Sequence, residues 1–120
     1  MMNKLPGGEF KSPMTRAEIE SATTGLRFNE GKIRWELVPD QALEPMVRVL
    51  MYGAKKYTDN NWQKGLKLPE VLACLQRHLV ALKAGEINDP ESNLPHIGHI
   101  LCNALFYSYF TTLSKPDIAV

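Results

Sequence analysis

The chain has 120 residues, a length that fits one domain. Lys plus Arg total 14 and Asp plus Glu total 13, so the net charge of +1 excludes a strongly basic nucleic-acid footprint while leaving room for a local basic patch. With 44% hydrophobic and 22% charged residues the composition is that of a globular protein and excludes wholesale disorder.

Size scaling gives about two thirds of the surface buried on folding. That supports one core with little surplus for a deep enclosed site, so a cleft at a subunit interface is expected. The two cysteines, Cys74 and Cys102, each sit inside an apolar periodic run and read as buried thiols rather than a disulfide framework. The N-terminal MMNKLPGGEF has no apolar core of a secretory signal, and no apolar run reaches 18 residues. The expected compartment is a reducing cytoplasm, the host's if the protein is a phage product.

Residues 1–14 carry Pro6, Gly7, Gly8 and Pro13 and read as a flexible tail; residues 15–120 read as a single helical domain. Thr15 with Glu18 forms a capping box, and Gly25 is a plausible stop for a short helix. In residues 26–39, Leu26 and Phe28 alternate before a turn and Ile33, Trp35 and Leu37 after it. This spacing fits a small hairpin or an extended segment.

From Asp40 the period becomes helical through Leu43, Val47, Leu50, Met51 and Ala54, ending near Tyr57. Pro45 requires either a start near Glu44 or a distorted first turn. Residues 58–65 form a loop. Pro69 opens a second long helix with the stripe Val71, Leu72, Leu75, Leu79 and Leu82, stopped by Gly85. Residues 87–93 form a polar loop, and Pro95 opens a third long helix to about Leu113, terminated by Lys115-Pro116. The expected fold is all-α, a small helical bundle with a short N-terminal extended or hairpin segment. Short connections favour antiparallel neighbours.

All three histidines fall on facing stripes. His78 lies between Leu75 and Leu82, and His96, His99 and Asn103 share a face at i, i+3 and i+7. If the last two helices pack antiparallel, the histidines converge. They are then either hydrogen-bonded core histidines or a site that ligates a metal or moves protons. Glu86, Asp89 and Glu91 bracket the last helix. Asp89 or Ser92 would cap it, or the carboxylates meet the histidines around a divalent cation, Mg²⁺ or Mn²⁺, with imidazole donors suiting Mn²⁺, Zn²⁺ or Fe better than Mg²⁺.

The other concentration of chemistry is AKKYTDNNWQKG, residues 54–65. Lys55 and Lys56 end a helix, where cations favour the dipole. Beside Tyr57, Asn61, Trp62 and Lys64 they also suit a phosphorylated ligand with a flat base, although a packed loop anchored by tryptophan has the same spacing. Lys32, Arg34 and Trp35 repeat the mixture upstream. His96-Ile97-Gly98-His99 spells the HIGH motif of class I aminoacyl-tRNA synthetases, but a polar loop precedes it and no βαβ unit exists, so that match is rejected.

Together RFNEGKIRW, ALEPMVRVLMYGAKKY, NNWQKG, LQRHLVALKAGE and DPESNLPHIGHILCNALF resemble the phage and bacterial domain family of dATP/dGTP diphosphohydrolases, N-terminal, with its MazZ and MazG-like all-α pyrophosphohydrolase relatives. The resemblance covers about residues 26–110. It implies cleavage of a purine deoxynucleoside triphosphate between the α and β phosphates, giving dNMP and pyrophosphate, with a carboxylate-held Mg²⁺. The E-E-x-x-E motif of MazG-like enzymes has its nearest counterpart here in Gln76, Arg77 and His78. Their E-x-x-D pair has its counterpart in His96 and His99. Either the site is rebuilt from His78, Glu86, Asp89, His96 and His99, or metal-dependent hydrolysis is lost.

The resulting expectation has His78, His96 and His99 as catalytic residues and the five just named as metal ligands. Lys32, Lys55, Lys56, Tyr57, Asn61, Trp62, Lys64, Arg77 and Asn103 would contact a nucleotide. The alternatives are a non-catalytic protein that sequesters a nucleotide and a helical interaction module. Phe106, Tyr107, Tyr109 and Phe110 surround much of the last helix, so a homodimer or homotetramer is expected. Light scattering at micromolar concentration checks this; a monomer would count against it.

Overall fold

The computed structural model describes residues 13–28 and 30–113. Residues 1–12 of the tail expected over residues 1–14, and the Lys115-Pro116 terminator, lie outside the described residues. Two compact units meet in sequence at Val38 and Pro39.

In the first unit, helix α1 spans Arg16–Ser21. Its capping box forms in both directions: the Glu18 amide donates to Thr15 Oγ1 at 3.1 Å, and the Thr15 amide donates to Glu18 Oε1 at 2.8 Å. The helix stops at Ala22, three residues short of Gly25. No side chain on it is buried, in keeping with its scarcity of apolar residues. The hairpin alternative for residues 26–39 is not taken. Gly31 turns the chain at φ 82°, and Trp35–Leu37 form a 3₁₀ turn. Ile33, Trp35 and Leu37 stay exposed, so nothing rewards strand pairing, and a lone two-stranded ribbon is at best marginal in water.

The second unit contains helices α2 (Glu44–Lys56), α3 (Leu68–Lys83) and α4 (His96–Thr112). A 3₁₀ turn over Asp40–Leu43 leads into α2, with Pro45 in its first turn, where a missing N–H costs nothing. Of the two options read for Pro45, the start near Glu44 is the one taken. Pro69 occupies the same place in α3, with Glu70 beside it at the positive end of the dipole.

The end of α3 is a Schellman motif. The Glu86 amide donates to the Ala81 carbonyl at 3.0 Å and the Gly85 amide to the Leu82 carbonyl at 3.0 Å. Gly85 adopts φ 99°, a conformation that a Cβ would strain, and this fixes the direction in which Glu86 leaves the helix.

Helix α4 is central and packs against both α2 and α3. Val49 from α2, Leu68 and Val71 from α3, and Cys102 and Phe110 from α4 are buried. The α2–α4 approach is set at Gly98, where a Cβ would lie 2.4 Å from the Pro45 carbonyl oxygen. Any side chain there would force the helices apart. Among the described residues no helix is long and apolar enough to cross a membrane.

Candidate functional site

The seam between α3 and α4 gathers the three histidines. The rings of His78 and His99 stack, with centroids 4.3 Å apart and planes 6° from parallel. His78 Nδ1 and His96 Nδ1 lie 2.8 Å apart. On the far side of its ring, His96 Nε2 meets Glu86 Oε1 at 2.7 Å. Asp89 joins from the loop: one donor atom each from His78, Asp89 and His96 can be chosen so that all lie within 4.8 Å of one another.

The protons of this network can be assigned from hydrogen bonding. An ionised carboxylate only accepts, so His96 Nε2 carries the hydrogen and donates to Glu86. A neutral His96 then presents a lone pair at Nδ1. Two bare lone pairs 2.8 Å apart repel, so the contact with His78 needs either a proton or a cation between the two nitrogens. Without a cation, His78 Nδ1–H donates to His96 Nδ1.

A second chain of contacts runs through Ser92. Its amide and hydroxyl donate to Asp89 Oδ2 at 2.9 and 3.0 Å, and the hydroxyl lies 2.7 Å from His99 Nε2. With the single hydroxyl proton given to the carboxylate, His99 Nε2–H donates to Ser92 Oγ and its Nδ1 keeps a lone pair. Neither Asp89 nor Ser92 caps α4. Pro95 is the cap residue, without a side-chain bond, and the His96 amide instead donates to the Ile87 carbonyl at 2.8 Å.

Burial lowers the affinity of His78 for a proton, with the nearby His99 adding to the effect. Burial likewise lowers that of His99, only partly offset by Asp89. For Asp89, burial alone would raise the carboxyl. The two Ser92 hydrogen bonds and the histidines outweigh it and hold the group below its usual value. Both histidines are therefore biased toward the neutral form and Asp89 toward the anion.

The other candidates divide by position. Lys56, at the end of α2, reaches Glu91 in the same loop as Asp89 at 3.7 Å. Its Nζ also lies over the Tyr57 and Tyr52 rings at 5.4 and 5.9 Å. Lys55, Lys64 and Arg77 are exposed, and Lys32 belongs to the first unit. Asn103 is buried, with Nδ2 donating to the His99 carbonyl at 2.8 Å and to Cys74 Sγ at 3.6 Å. Its donor is spent inside the protein, where it holds the turn that carries His99.

Tyr57, Asn61 and Trp62 line a different feature, a cavity of about 630 Å³ between α2, the 58–66 loop and α4. Trp62 also anchors the loop, its ring 4.6 Å from Phe106 and 4.8 Å from Tyr109. Trp62 thus packs the loop onto α4 and lines the cavity at once. Sequence reading passed over two residues as site components: Ser92, taken only as a possible cap, and Asp59 on the cavity wall. Ser92 had a signal in its spacing, three residues after Asp89 and seven before His99.

A small helical unit with a histidine–carboxylate cluster at one seam and an apolar cavity at the next has the form of a small-molecule site. The family described as dATP/dGTP diphosphohydrolase, N-terminal, matches residues 22–117, and the chain belongs to it. A protein of Salmonella phage PMBT28 named dATP/dGTP diphosphohydrolase is 35% identical over 83 residues, covering 69% of this chain and 28% of that protein. The chain thus matches little more than a quarter of the length of that relative. No solved structure matches.

Proposed function

We propose that this domain hydrolyses purine deoxynucleoside triphosphates to dNMP and pyrophosphate at the α3–α4 seam. The observation that carries this reading is the convergence of His78, His96, His99 and Asp89 in a member of a family described as diphosphohydrolases. Two imidazole nitrogens and a carboxylate oxygen form a donor set that fits a divalent cation, with Mn²⁺ favoured over Mg²⁺. His78, Asp89 and His96 would hold it. Glu86, expected as a ligand, instead fits the outer position in which a carboxylate fixes a histidine's tautomer. When bound, the cation would supply polarisation of a phosphoryl oxygen and charge neutralisation.

The chain's own residues account for the remaining roles. His99 Nδ1 accepts a proton from water, and Ser92 and Asp89 orient its ring. The water oxygen bonds to the α-phosphorus, the bond from that phosphorus to the bridging oxygen breaks, and pyrophosphate leaves with the bridging oxygen. Lys56 sits between the cavity wall at Tyr57 and the Asp89 loop, suited to a phosphate lying between the two. Lys55 and Arg77 add positive charge nearby in sequence.

A homodimer or homotetramer accompanies this reading. Helix α4 has no charged residue in 17 positions, yet Ile97 and Tyr107 remain exposed. A helix apolar on all sides is normally covered. The aromatic argument narrows, since Phe106, Tyr109 and Phe110 are spent on Trp62 and only Tyr107 faces out.

Phosphorus NMR of the protein with each dNTP, first with Mg²⁺ and then with Mn²⁺, tests the activity. Pyrophosphate with dNMP supports α–β cleavage. Orthophosphate would replace it with another phosphohydrolase activity. Shifted but intact triphosphate signals would indicate a sequestering protein, and unchanged spectra a helical interaction module.

A further inference from the structure

The cavity between α2 and α4 has two kinds of wall. Val47, Leu50, Ala54 and Phe106 contribute apolar surface, and the 58–62 turn contributes polar groups. That turn is held rigidly. Asn60 takes a left-handed conformation at φ 57°, and the Asn61 amide donates to the Thr58 carbonyl at 3.2 Å. Gln63 Nε2 donates to Asn60 Oδ1 at 3.3 Å, and Tyr109 Oη donates to Gln63 Oε1 at 3.5 Å, tying the turn back to α4. Asn60 is therefore committed to the protein.

Asp59 and Asn61 are not. Both line the cavity, and neither side chain makes a hydrogen bond or ion pair to any described residue. The contrast with the α3–α4 seam is direct, because there Asp89, Glu86 and Asn103 each have a partner. The cavity thus offers aromatic and aliphatic surface for a flat ring, with a carboxylate that only accepts and a carboxamide that donates and accepts.

The geometry points to Asp59 as the residue that selects a guanine-type base in this cavity. The statement rests on the proposed action on purine deoxynucleotides and deepens it by naming the edge that is read. Guanine presents two N–H donors side by side, from N1 and the 2-amino group, and a carboxylate accepts both through its two oxygens. Adenine presents one donor, its 6-amino group, next to the N1 acceptor, whose lone pair faces the carboxylate unfavourably. Asn61 reaches the same rim and can give a proton to a ring acceptor. Trp62 and Tyr57 supply aromatic surface for the ring, and stacking of this kind is tolerant of base identity. Selection therefore falls to the polar edge. A bidentate contact of this kind discriminates by about tenfold or more.

The test uses deoxyguanosine and deoxyadenosine, which carry no phosphate, so it is blind to hydrolysis and needs no metal. Binding is followed through the indole N–H signals of the ¹⁵N-labelled protein, with Trp62 on the cavity wall and Trp35 in the other unit as the reference. The expected result is a shift confined to Trp62, with deoxyguanosine bound about tenfold more tightly than deoxyadenosine. Asp59→Asn should remove about tenfold of deoxyguanosine affinity and leave deoxyadenosine within about twofold, abolishing the preference. A retained preference in Asp59→Asn, equal binding of the two nucleosides by the unaltered protein, or no shift of Trp62 would each overturn the assignment. The two readings fail separately. Selective nucleoside binding with no dNTP cleaved would sink the hydrolase and keep Asp59, whereas cleavage of dGTP and dATP at equal rates with no preference among nucleosides would do the reverse.

Discussion

The two sides of α4 are built on opposite plans. Toward α3, polar groups are mutually satisfied: Glu86 fixes His96, His96 meets His78, Ser92 joins Asp89 to His99, and Asn103 holds the His99 turn. Toward α2, aliphatic and aromatic side chains line a cavity whose rim carries two uncommitted polar groups, Asp59 and Asn61. The difference separates two demands. Chemistry on a phosphate requires tautomers and charges set in advance, which takes a closed network. Recognition of a base requires open hydrogen-bonding capacity, which a closed network lacks. Under the proposed function one helix without Asp, Glu, Lys or Arg would serve both, because its His96, His99 and Asn103 face one neighbour while Cys102 and Phe106 also reach the other.

The strongest way to break this division is to remove the centre of the polar side. His96→Ala takes away the ring that donates to Glu86 through Nε2 and meets His78 through Nδ1. The expected outcome is a loss of dNTP hydrolysis of about a hundredfold or more, with far-UV circular dichroism and nucleoside binding at the cavity unchanged. Full activity would remove the α3–α4 seam as the reaction centre. Glu86→Gln sharpens the same point. The glutamine carbonyl can still accept from His96 Nε2–H but lacks the charge, so Mn²⁺ affinity should fall about tenfold, read from the spin resonance of free Mn²⁺.

A single methyl group should disturb the other side of α4. At Gly98 a Cβ meets the Pro45 backbone oxygen at 2.4 Å, and backbone cannot swing aside as a flexible side chain can. Gly98→Ala should destabilise the unit by about 1–3 kcal/mol in urea denaturation, the range for an overpacked core. Because α2 must move, the cavity should change shape and nucleoside binding should weaken more than the histidine network does. A variant as stable as the unaltered protein would mean that α2 and α4 approach less closely than this.

Much of this division was legible in the sequence, for identifiable reasons. Gly85 ends α3 because its φ of 99° is one that other residues tolerate poorly, and Pro69 and Pro45 mark the starts of α3 and α2 because a residue with no N–H fits only a helix's first turn. The histidine cluster followed from periodicity alone, since i, i+3 and i+7 share a helix face and only antiparallel packing was needed to add His78. The roles of Glu86 and Ser92 were not legible. The first depends on a Schellman turn that aims the side chain, and the second on a loop fold that returns an oxygen to a histidine seven residues later. Ile33, Trp35 and Leu37 misled for a related reason. Alternation signals a half-buried strand only where a surface exists to bury it, and these three side chains remain exposed.

Acid gives the gentlest probe, and it acts on one side only. In the unfolded chain His78 and His99 would take up a proton near pH 6.5, whereas in the folded protein burial holds both below that value. Between the two values the unfolded state binds more protons, so stability falls as the pH drops through this window and levels off only below the folded values. Asp89 adds a second loss at lower pH. Its folded carboxyl titrates below 3.8, so its stabilising contribution is present above that value and disappears as the pH falls through the depressed one. Melting curves at pH 8, 7, 6, 5 and 4 should therefore show a plateau, then a decline beginning near pH 6.5. Replacing His99 by Asn should flatten that decline, because an amide keeps the shape of the ring edge without its titration. A melting temperature independent of pH between 7 and 5 would mean that water reaches both rings as freely as in the unfolded chain. The burial that biases both rings toward the neutral form would then be absent, and the seam would lose one of the features that set it apart from an open surface.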